Sequence, residues 1–389
     1  MTNIKNDKKQ GLFFITGVSG FLGSHLTLEL AKRGYSAVAL IRPLKGLSGR
    51  ERLRRISSLL DVDSRIVSQI RVVEGDMTLP ELGLGKDLYR ELTRSVTWII
   101  NCAADTSFAE KRRDLVERVN VHGTENLLDM AVKGNCSFFH QVSTAYVFGK
   151  VTGICEEQLT SPKNFTNVYE ETKCRAEQMA ADVCKSEGIE LNIYRPGIVC
   201  GESLNGRTFR FNGLYYPLKS IHRLIESFKT NLLQKDGEKA RRMGVKFVDG
   251  NRLMLPLTIR VAENSGINVI PVNYFSQMFI KIMEYRPEGG IFHIVQEKNC
   301  PVQDLVEYTR EYFLIEGLDI TYKENTEGPM ERIFNLYNEA YLPYLQDKRV
   351  FSSENIRHLR DREFDDRFTY ERFKICMDYA IKKDWGKNF

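Results

Sequence analysis

The segment TGVSGFLG at 16–23 follows the apolar run GLFFIT directly and opens an amphipathic stretch. A strand, a glycine-rich turn and a helix in that order leave few architectures open. Gly17 permits a tight turn, Gly20 lets backbone approach a diphosphate, and Gly23 lets the helix pack on the sheet. Free N–H groups at the helix start, with the helix dipole, attract the anion. Glycine triplets also occur in ordinary turns, but the flanking strand and helix supply the context that a dinucleotide loop requires. Ser19, Phe21 and Leu22 complete the loop.

The beat continues for about 200 residues. Strands are predicted at 11–16, 36–41, 69–74, 96–101, 137–143 and 189–194, with helices at 20–33, 50–60, 112–133 and 168–187. Alternation of this kind predicts an α/β fold, a Rossmann-like doubly wound parallel sheet. After Pro196–Gly197 the rhythm lapses over 201–250, resumes at NVIPV (268–272), a helical stretch to about 284 and GIFHIV (291–295), then turns mostly helical over 299–389. The expected domains are 1–200, to which 268–298 return, and a smaller, mostly helical substrate-binding or lid domain from 201–267 and 299–389.

Composition narrows the class. Among 389 residues, 56 Lys and Arg against 51 Asp and Glu leave a net charge of +5, too little for a dedicated nucleic-acid binder. No run of about 18 apolar residues offers a membrane span. The polar start MTNIKNDKKQ lacks a secretory signal's apolar core. The eight cysteines are scattered without a CxxC pair, which predicts packing residues in a reducing, cytoplasmic setting and neither a metal site nor a disulfide frame.

The second predicted strand ends at Arg42, where an NAD-selective site usually carries an acid; a cation there suits the 2′-phosphate of NADPH. Lys45 and Arg52 lie close by in sequence to assist it. The alternative is a solvated loop arginine. Asp76, in the GDM turn after the third strand, is placed to meet adenine, or else simply forms the turn beside Gly75.

Tyr169 and Lys173 stand one helical turn apart in YEETK, so phenol and ammonium share a face. A nearby cation favours the phenolate and lowers a phenol pKa from about 10. Such a tyrosine passes a proton to a carbonyl oxygen as hydride arrives at carbon. YxxxK alone is common. Upstream, the fifth strand ends in Ser143-Thr144-Ala145-Tyr146, and a strand-end hydroxyl points into the ligand crevice of a doubly wound sheet. The glycine loop, strand-end hydroxyl and YxxxK together carry the inference.

These segments, with NCAADTSF (101–108), NVHGTENLL (120–128), VSTAYVFG (142–149) and YRPGIV (194–199), resemble an extended short-chain dehydrogenase/reductase over about 1–200. EGDMTLPELGL (74–84) and HQVSTAYVFG are most similar to the fatty acyl-CoA reductase and thioester-reductase branch, which includes the terminal reductase domains of carboxylic acid reductases. Residues 334–359 resemble, more loosely, the C-terminal parts of acyl-CoA reductases. The resemblance implies that Thr144, not Ser143, is the catalytic hydroxyl, with Tyr169 as acid and Lys173 as its partner and a ribose ligand. It further implies that Ala103 and Ala104, with Met77 after the third strand, line the dinucleotide site. Pro196, Gly197 and Ile198 would flank the nicotinamide, and Asn120 would support the active-site backbone.

The implied reaction is NADPH-dependent reduction of an acyl thioester, on coenzyme A or an acyl or peptidyl carrier protein, to an aldehyde; a second hydride could take the aldehyde to an alcohol, and the sequence leaves both outcomes open. Homodimerisation stays open. The alternative is the same machinery acting on a ketone, a sterol-like alcohol or a nucleotide sugar. Cys102 and Cys200 adjoin cofactor motifs but read as packing residues rather than nucleophiles. The cations Arg207, Arg210, His222, Arg223, Arg241 and Arg242 either meet phosphates of coenzyme A or an acidic carrier, or form a solvated face balanced by Glu226, Asp236 and Glu238. Aromatics at 210–218 and 336–345 line an acyl groove or fill a core.

Overall fold

A computed structural model describes residues 11–44, 46–285, 288–324, 327–360 and 367–387. Lys45, one of the expected assisting cations, lies outside them.

The chain opens with β1 (Leu12–Thr16), α1 (Phe21–Lys32), β2 (Ser36–Ile41), α2 (Gly49–Leu59), β3 (Arg71–Glu74), α3 (Lys86–Ser95) and β4 (Trp98–Asn101). It continues through α4 (Gly123–Lys133), β5 (Phe138–Val142), α5 (Val168–Glu187) and β6 (Glu190–Pro196). Beyond these come α6 (Tyr215–Gln234), β7 (Leu253–Arg260), α7 (Val272–Tyr285), β8 (Gly290–Ile294), α8 (Val302–Phe313), β9 (Ile315–Thr321), α9 (Pro329–Asn338) and α10 (Tyr370–Lys382).

Seven strands form one parallel sheet in the order β8-β6-β5-β4-β1-β2-β3. It is the Rossmann-like doubly wound sheet expected. Alternate side chains of β1 feed opposite faces: Phe13 and Ile15 pack with Leu26 and Leu30 of α1 and Phe279 of α7, while Phe14 packs with Leu92, Leu127 and Leu128. Between β1 and β4 the strand order reverses, so the loops after those two strands flank the crevice in which such sheets bind ligands. Among the described residues, no helix is long and apolar enough to cross a membrane.

Four local differences from the sequence reading stand out. The helix expected over 112–133 is interrupted by a π turn at Arg118–His122. The α6 helix occupies 20 residues of the stretch in which no rhythm was read. It starts at Leu214 without a side-chain cap and without an acid in its first turn, so the usual start signals are missing. Its buried Leu218, Ile221, Ile225 and Phe228 nonetheless repeat at helical spacing.

The C-terminal part also carries a small sheet, β9-β7 with the short strand Lys246–Phe247. β7 was missed because Pro256 interrupts it, and proline demotes a strand reading. Its pairing with β9 shifts register between Met254 and Leu257, which accommodates the proline. Val269–Pro271, inside the run read as a strand at 268–272, pairs with Ile198–Cys200 outside the main sheet.

Candidate active site

The helix α1 begins on Gly20 with no side-chain cap and no acid in its first turn, so its free N–H groups face the crevice uncompensated. Gly20 N donates to Gly17 O at 2.7 Å, closing the turn. Gly17 has φ +73°, and a Cβ there would overlap the Cys102–Ala103 backbone. A Cβ on Gly23 would overlap the Gly17 carbonyl. The two glycines thus hold the glycine loop against β4's exit and against its own helix.

A buried polar ladder sets the strand ends. Thr16 Oγ1 donates to Asn101 Oδ1 (2.9 Å), and Asn101 Nδ2 donates to Thr124 Oγ1 and Gln141 Oε1, both at 3.0 Å. Ala103 N in turn donates to Thr16 Oγ1 at 3.3 Å, fixing the loop that carries Ala103 and Ala104. Asn120 stands on the π turn. Its Oδ1 accepts from Asp105 N (2.8 Å), and its Nδ2 donates to Asp105 O (3.0 Å) and to Thr172 Oγ1 (2.9 Å). It ties the loop after β4 to the helix carrying Tyr169, as π turns at functional sites often do.

One cavity of about 640 Å³ is lined by every cofactor-site residue named from sequence other than Lys45: Gly17, Ser19, Gly20, Phe21, Leu22, Gly23, Arg42, Arg52, Asp76, Met77, Ala103, Ala104, Tyr169, Lys173, Pro196, Gly197 and Ile198, together with Thr144. At the end of the cavity beside β2 and β3, Arg42 lies 3.8 Å from Asp76, and Arg52 donates to the Arg42 carbonyl. Asp76 Oδ1 also accepts from Thr78 N at 2.9 Å, so it forms the turn while facing the cavity.

Beside β5, Asn167 caps α5 by accepting from Glu170 N, which presents Tyr169 and Lys173 on the first turns. Lys173 is buried, and its Nζ donates to Val142 O at 2.6 Å. Burial lowers its pKa to about 8, against smaller opposing effects of Cys102 and Glu177. Tyr169 differs from the sequence expectation. Burial of its hydroxyl end raises the phenol's pKa above its ordinary value, outweighing a hydrogen bond with Thr144 that lowers it. The ammonium spends its short hydrogen bond on Val142 O, and the phenol is held in its protonated form.

Thr144 Oγ1 accepts from Tyr146 N (3.3 Å), and the neighbouring Ser143 lines the same cavity with its buried hydroxyl unpartnered. All eight cysteines are free thiols. Burial pushes Cys102 up to about 12, and a hydrogen bond with Cys376, with burial, holds Cys200 well above the ordinary thiol range. Both are poor nucleophiles.

The cavity continues past Thr144 and Tyr169 into the C-terminal part, where Leu218, Ile221, Ile259, Val302, Val306 and Phe334 line it. Tyr341, Tyr344 and Leu345 join the lining, whereas Leu336 and Tyr337 are exposed, so the aromatic segment 336–345 is divided between groove and surface. Sequence reasoning missed Phe108, whose ring meets those of Tyr169, Tyr341 and Tyr344 at 6.0, 5.4 and 5.6 Å. Its place in NCAADTSF was visible; its partners, more than 200 residues away for the last two, were not.

The cations of 207–242 do not form one patch. Arg207 reaches Leu60 O and Asp61, Arg242 pairs with Glu238, and His222 meets Trp385. Arg210 alone of the six lines the cavity.

The NAD-binding family model described as male sterility protein matches residues 15–278, more than half of the chain. The chain belongs to that family. It is an extended short-chain dehydrogenase/reductase of the thioester-reductase branch, an NAD(P)-dependent fold whose cofactor is a nicotinamide dinucleotide. The male sterility family member described here is similar to fatty acyl-CoA reductase 1 of Gallus gallus, 28% identical over 240 residues covering 51% of this chain and 46% of that protein. It is also similar to the L-2-aminoadipate reductase large subunit of Candida glabrata, 28% identical over 234 residues covering 54% of this chain and 17% of that protein. The chain therefore spans less than half the length of either relative. Its fold is shared with the terminal R domain from the myxalamid PKS-NRPS biosynthetic pathway, at a TM-score of 0.73 and 20% identity, covering 98% of this chain and 93% of that one.

Proposed function

We propose that the protein uses NADPH to reduce an acyl thioester, carried on coenzyme A or a carrier protein, to an aldehyde. The observation that carries this reading is the continuity of one cavity from the glycine loop, past Thr144 and Tyr169, into an apolar arm. The glycine cradle and uncapped helix start suit a diphosphate, and Arg42 with Arg52 suits a 2′-phosphate. In this reading, residues 1–200 with 268–298 hold the cofactor, while 201–267 and 299–389 supply the acyl arm.

When bound, the reduced nicotinamide supplies a hydride. Tyr169 Oη and Thr144 Oγ1 hydrogen-bond the acyl oxygen, favouring the negative charge that develops only in the transition state. The protonated phenol then delivers its proton to that oxygen. Cleavage of the C–S bond re-forms the carbonyl as an aldehyde, and the hydroxyl proton leaves with the thiolate as the free thiol. Lys173, one helical turn from Tyr169 and held by Val142 O, supplies the positive charge that supports the phenol as it loses its proton. The apolar arm takes the acyl chain, each buried CH₂ contributing roughly 0.8 kcal/mol. A second round on the aldehyde would yield the alcohol.

The test is NADPH oxidation with mass-spectrometric product analysis across acyl thioesters of increasing chain length, set against nucleotide sugars. Aldehyde or alcohol from thioesters supports the reading; turnover of nucleotide sugars alone replaces it.

A further inference from the structure

Residues 207–214 leave the second part of the chain and run back across the dinucleotide half. Arg207 Nη1 donates to Leu60 O at 2.6 Å, and its Nη2 lies 3.7 Å from Asp61 Oδ2. The ring of Phe209 meets Phe21 of the glycine loop edge-on, with centroids 5.8 Å apart. Buried Thr208 brackets the next residue, its Oγ1 accepting from Arg210 N (3.1 Å) and donating to Arg210 O (2.9 Å). The backbone of Arg210 is therefore anchored on both sides, and the residue lines the cavity that Arg42 and Arg52 also line.

These guanidinium groups come from the end of β2, from α2 and from the crossing segment. Asp76, 3.8 Å from Arg42, is the one carboxylate paired with any of them among the described residues. Arg52 donates to the Arg42 carbonyl, all three arginines line one cavity, and both Arg42 and Arg210 act on the Arg52 charge. Three forked cations against one carboxylate make a surplus that a phosphate dianion would neutralise, and guanidinium forks match its oxygens in pairs.

We propose that Arg210 completes, with Arg42 and Arg52, a site for a phosphomonoester on the ribose of an adenosine, so that a segment outside the dinucleotide half helps to select the ligand. The 2′-phosphate of NADP(H) and the 3′-phosphate of coenzyme A share this chemistry. The proposal rests on the reading of the cavity as the cofactor site.

Calorimetric titration of the whole chain separates the cases. Wild type, Arg210→Ala, Arg210→Gln and Arg42→Ala are each titrated with NADP⁺, NAD⁺, coenzyme A and 3′-dephospho-coenzyme A. Loss of a charged hydrogen bond predicts that both Arg210 variants weaken NADP⁺ by roughly ten- to a hundredfold while NAD⁺ changes by less than about twofold. Unchanged NAD⁺ binding also reports an intact fold. A loss confined to coenzyme A relative to its dephospho form supports the same site with the other source. If both discriminations survive in the Arg210 variants while Arg42→Ala abolishes the preference for NADP⁺, the Arg210 proposal is overturned and the cofactor reading stands. If no variant alters NADP⁺ relative to NAD⁺ or coenzyme A relative to its dephospho form, both fall. Variants that lose NAD⁺ together with NADP⁺ also overturn it, since Arg210 would then support the whole loop and not the phosphate.

Discussion

Tyr344 Oη donates to Glu170 Oε1 at 2.7 Å, joining the C-terminal part of the chain to the residue beside Tyr169. Asn167, the cap of α5, donates to the same phenol oxygen at 2.8 Å, and Arg349 Nη2 lies 3.8 Å from Glu170. Arg349 also pairs with Asp347 at 2.8 Å and donates to Gly149 O at 3.0 Å. The first turn of the site's helix is thus held from the C-terminal side. Tyr344→Phe leaves the buried Glu170 carboxylate short of a donor. It should cost about 1–3 kcal/mol of stability, read as a lower midpoint in urea unfolding. A midpoint equal to wild type would show that the contact carries no weight.

Gly23→Ala places a methyl group against the Gly17 carbonyl, where only backbone can give way. Dinucleotide affinity should fall at least about tenfold, with little change in secondary structure by circular dichroism, because the phosphate loop must open. Fluorescence titration with NADPH checks this, and retained affinity would mean that the loop does not hold the diphosphate.

Lys173→Met tests the buried ammonium through the pH dependence of stability. The folded pKa is about 8, below the value near 10.4 expected unfolded. Below pH 8 both states bind the proton and the full burial cost is present. Between about 8 and 10.4 the unfolded chain binds the proton and the folded one does not, so wild-type stability gains on the variant as pH rises. The gain should be on the order of 3 kcal/mol across that window. Parallel curves from chemical unfolding at several pH values would contradict the burial argument.

Thr144→Val keeps the side-chain shape and removes the hydroxyl. If Thr144 steadies the acyl oxyanion, kcat should drop roughly 10²–10³-fold with little change in NADPH affinity. A matched loss of affinity and unaltered kcat would instead place Thr144 in cofactor binding alone.

Much of this was legible in the sequence because local signals and tertiary role agreed in the first half. The strand-turn-helix at 12–32, the strand-end Thr144 and the YxxxK turn each carry their own periodicity or turn chemistry, and all line one cavity. The later half was harder to read. β7 contains Pro256 yet pairs on both sides through a register shift, and α6 starts without a capping residue. Phe108, Arg210 and Tyr344 owe their places to contacts across the fold, which spacing along the chain does not encode. The state of Tyr169 was misjudged for a related reason: helical spacing puts a cation near the phenol, but burial, a tertiary property, decides its proton.

The central claim, hydride delivery to an acyl carbonyl beside Tyr169, is tested most directly with NADPH deuterated at the transferring position of the nicotinamide ring. Wild-type enzyme incubated with a long-chain acyl thioester should yield aldehyde or alcohol carrying deuterium at C1, and Tyr169→Phe should form that product at least about a hundredfold more slowly. Product without deuterium at C1, or equal rates for the two proteins, would contradict the account.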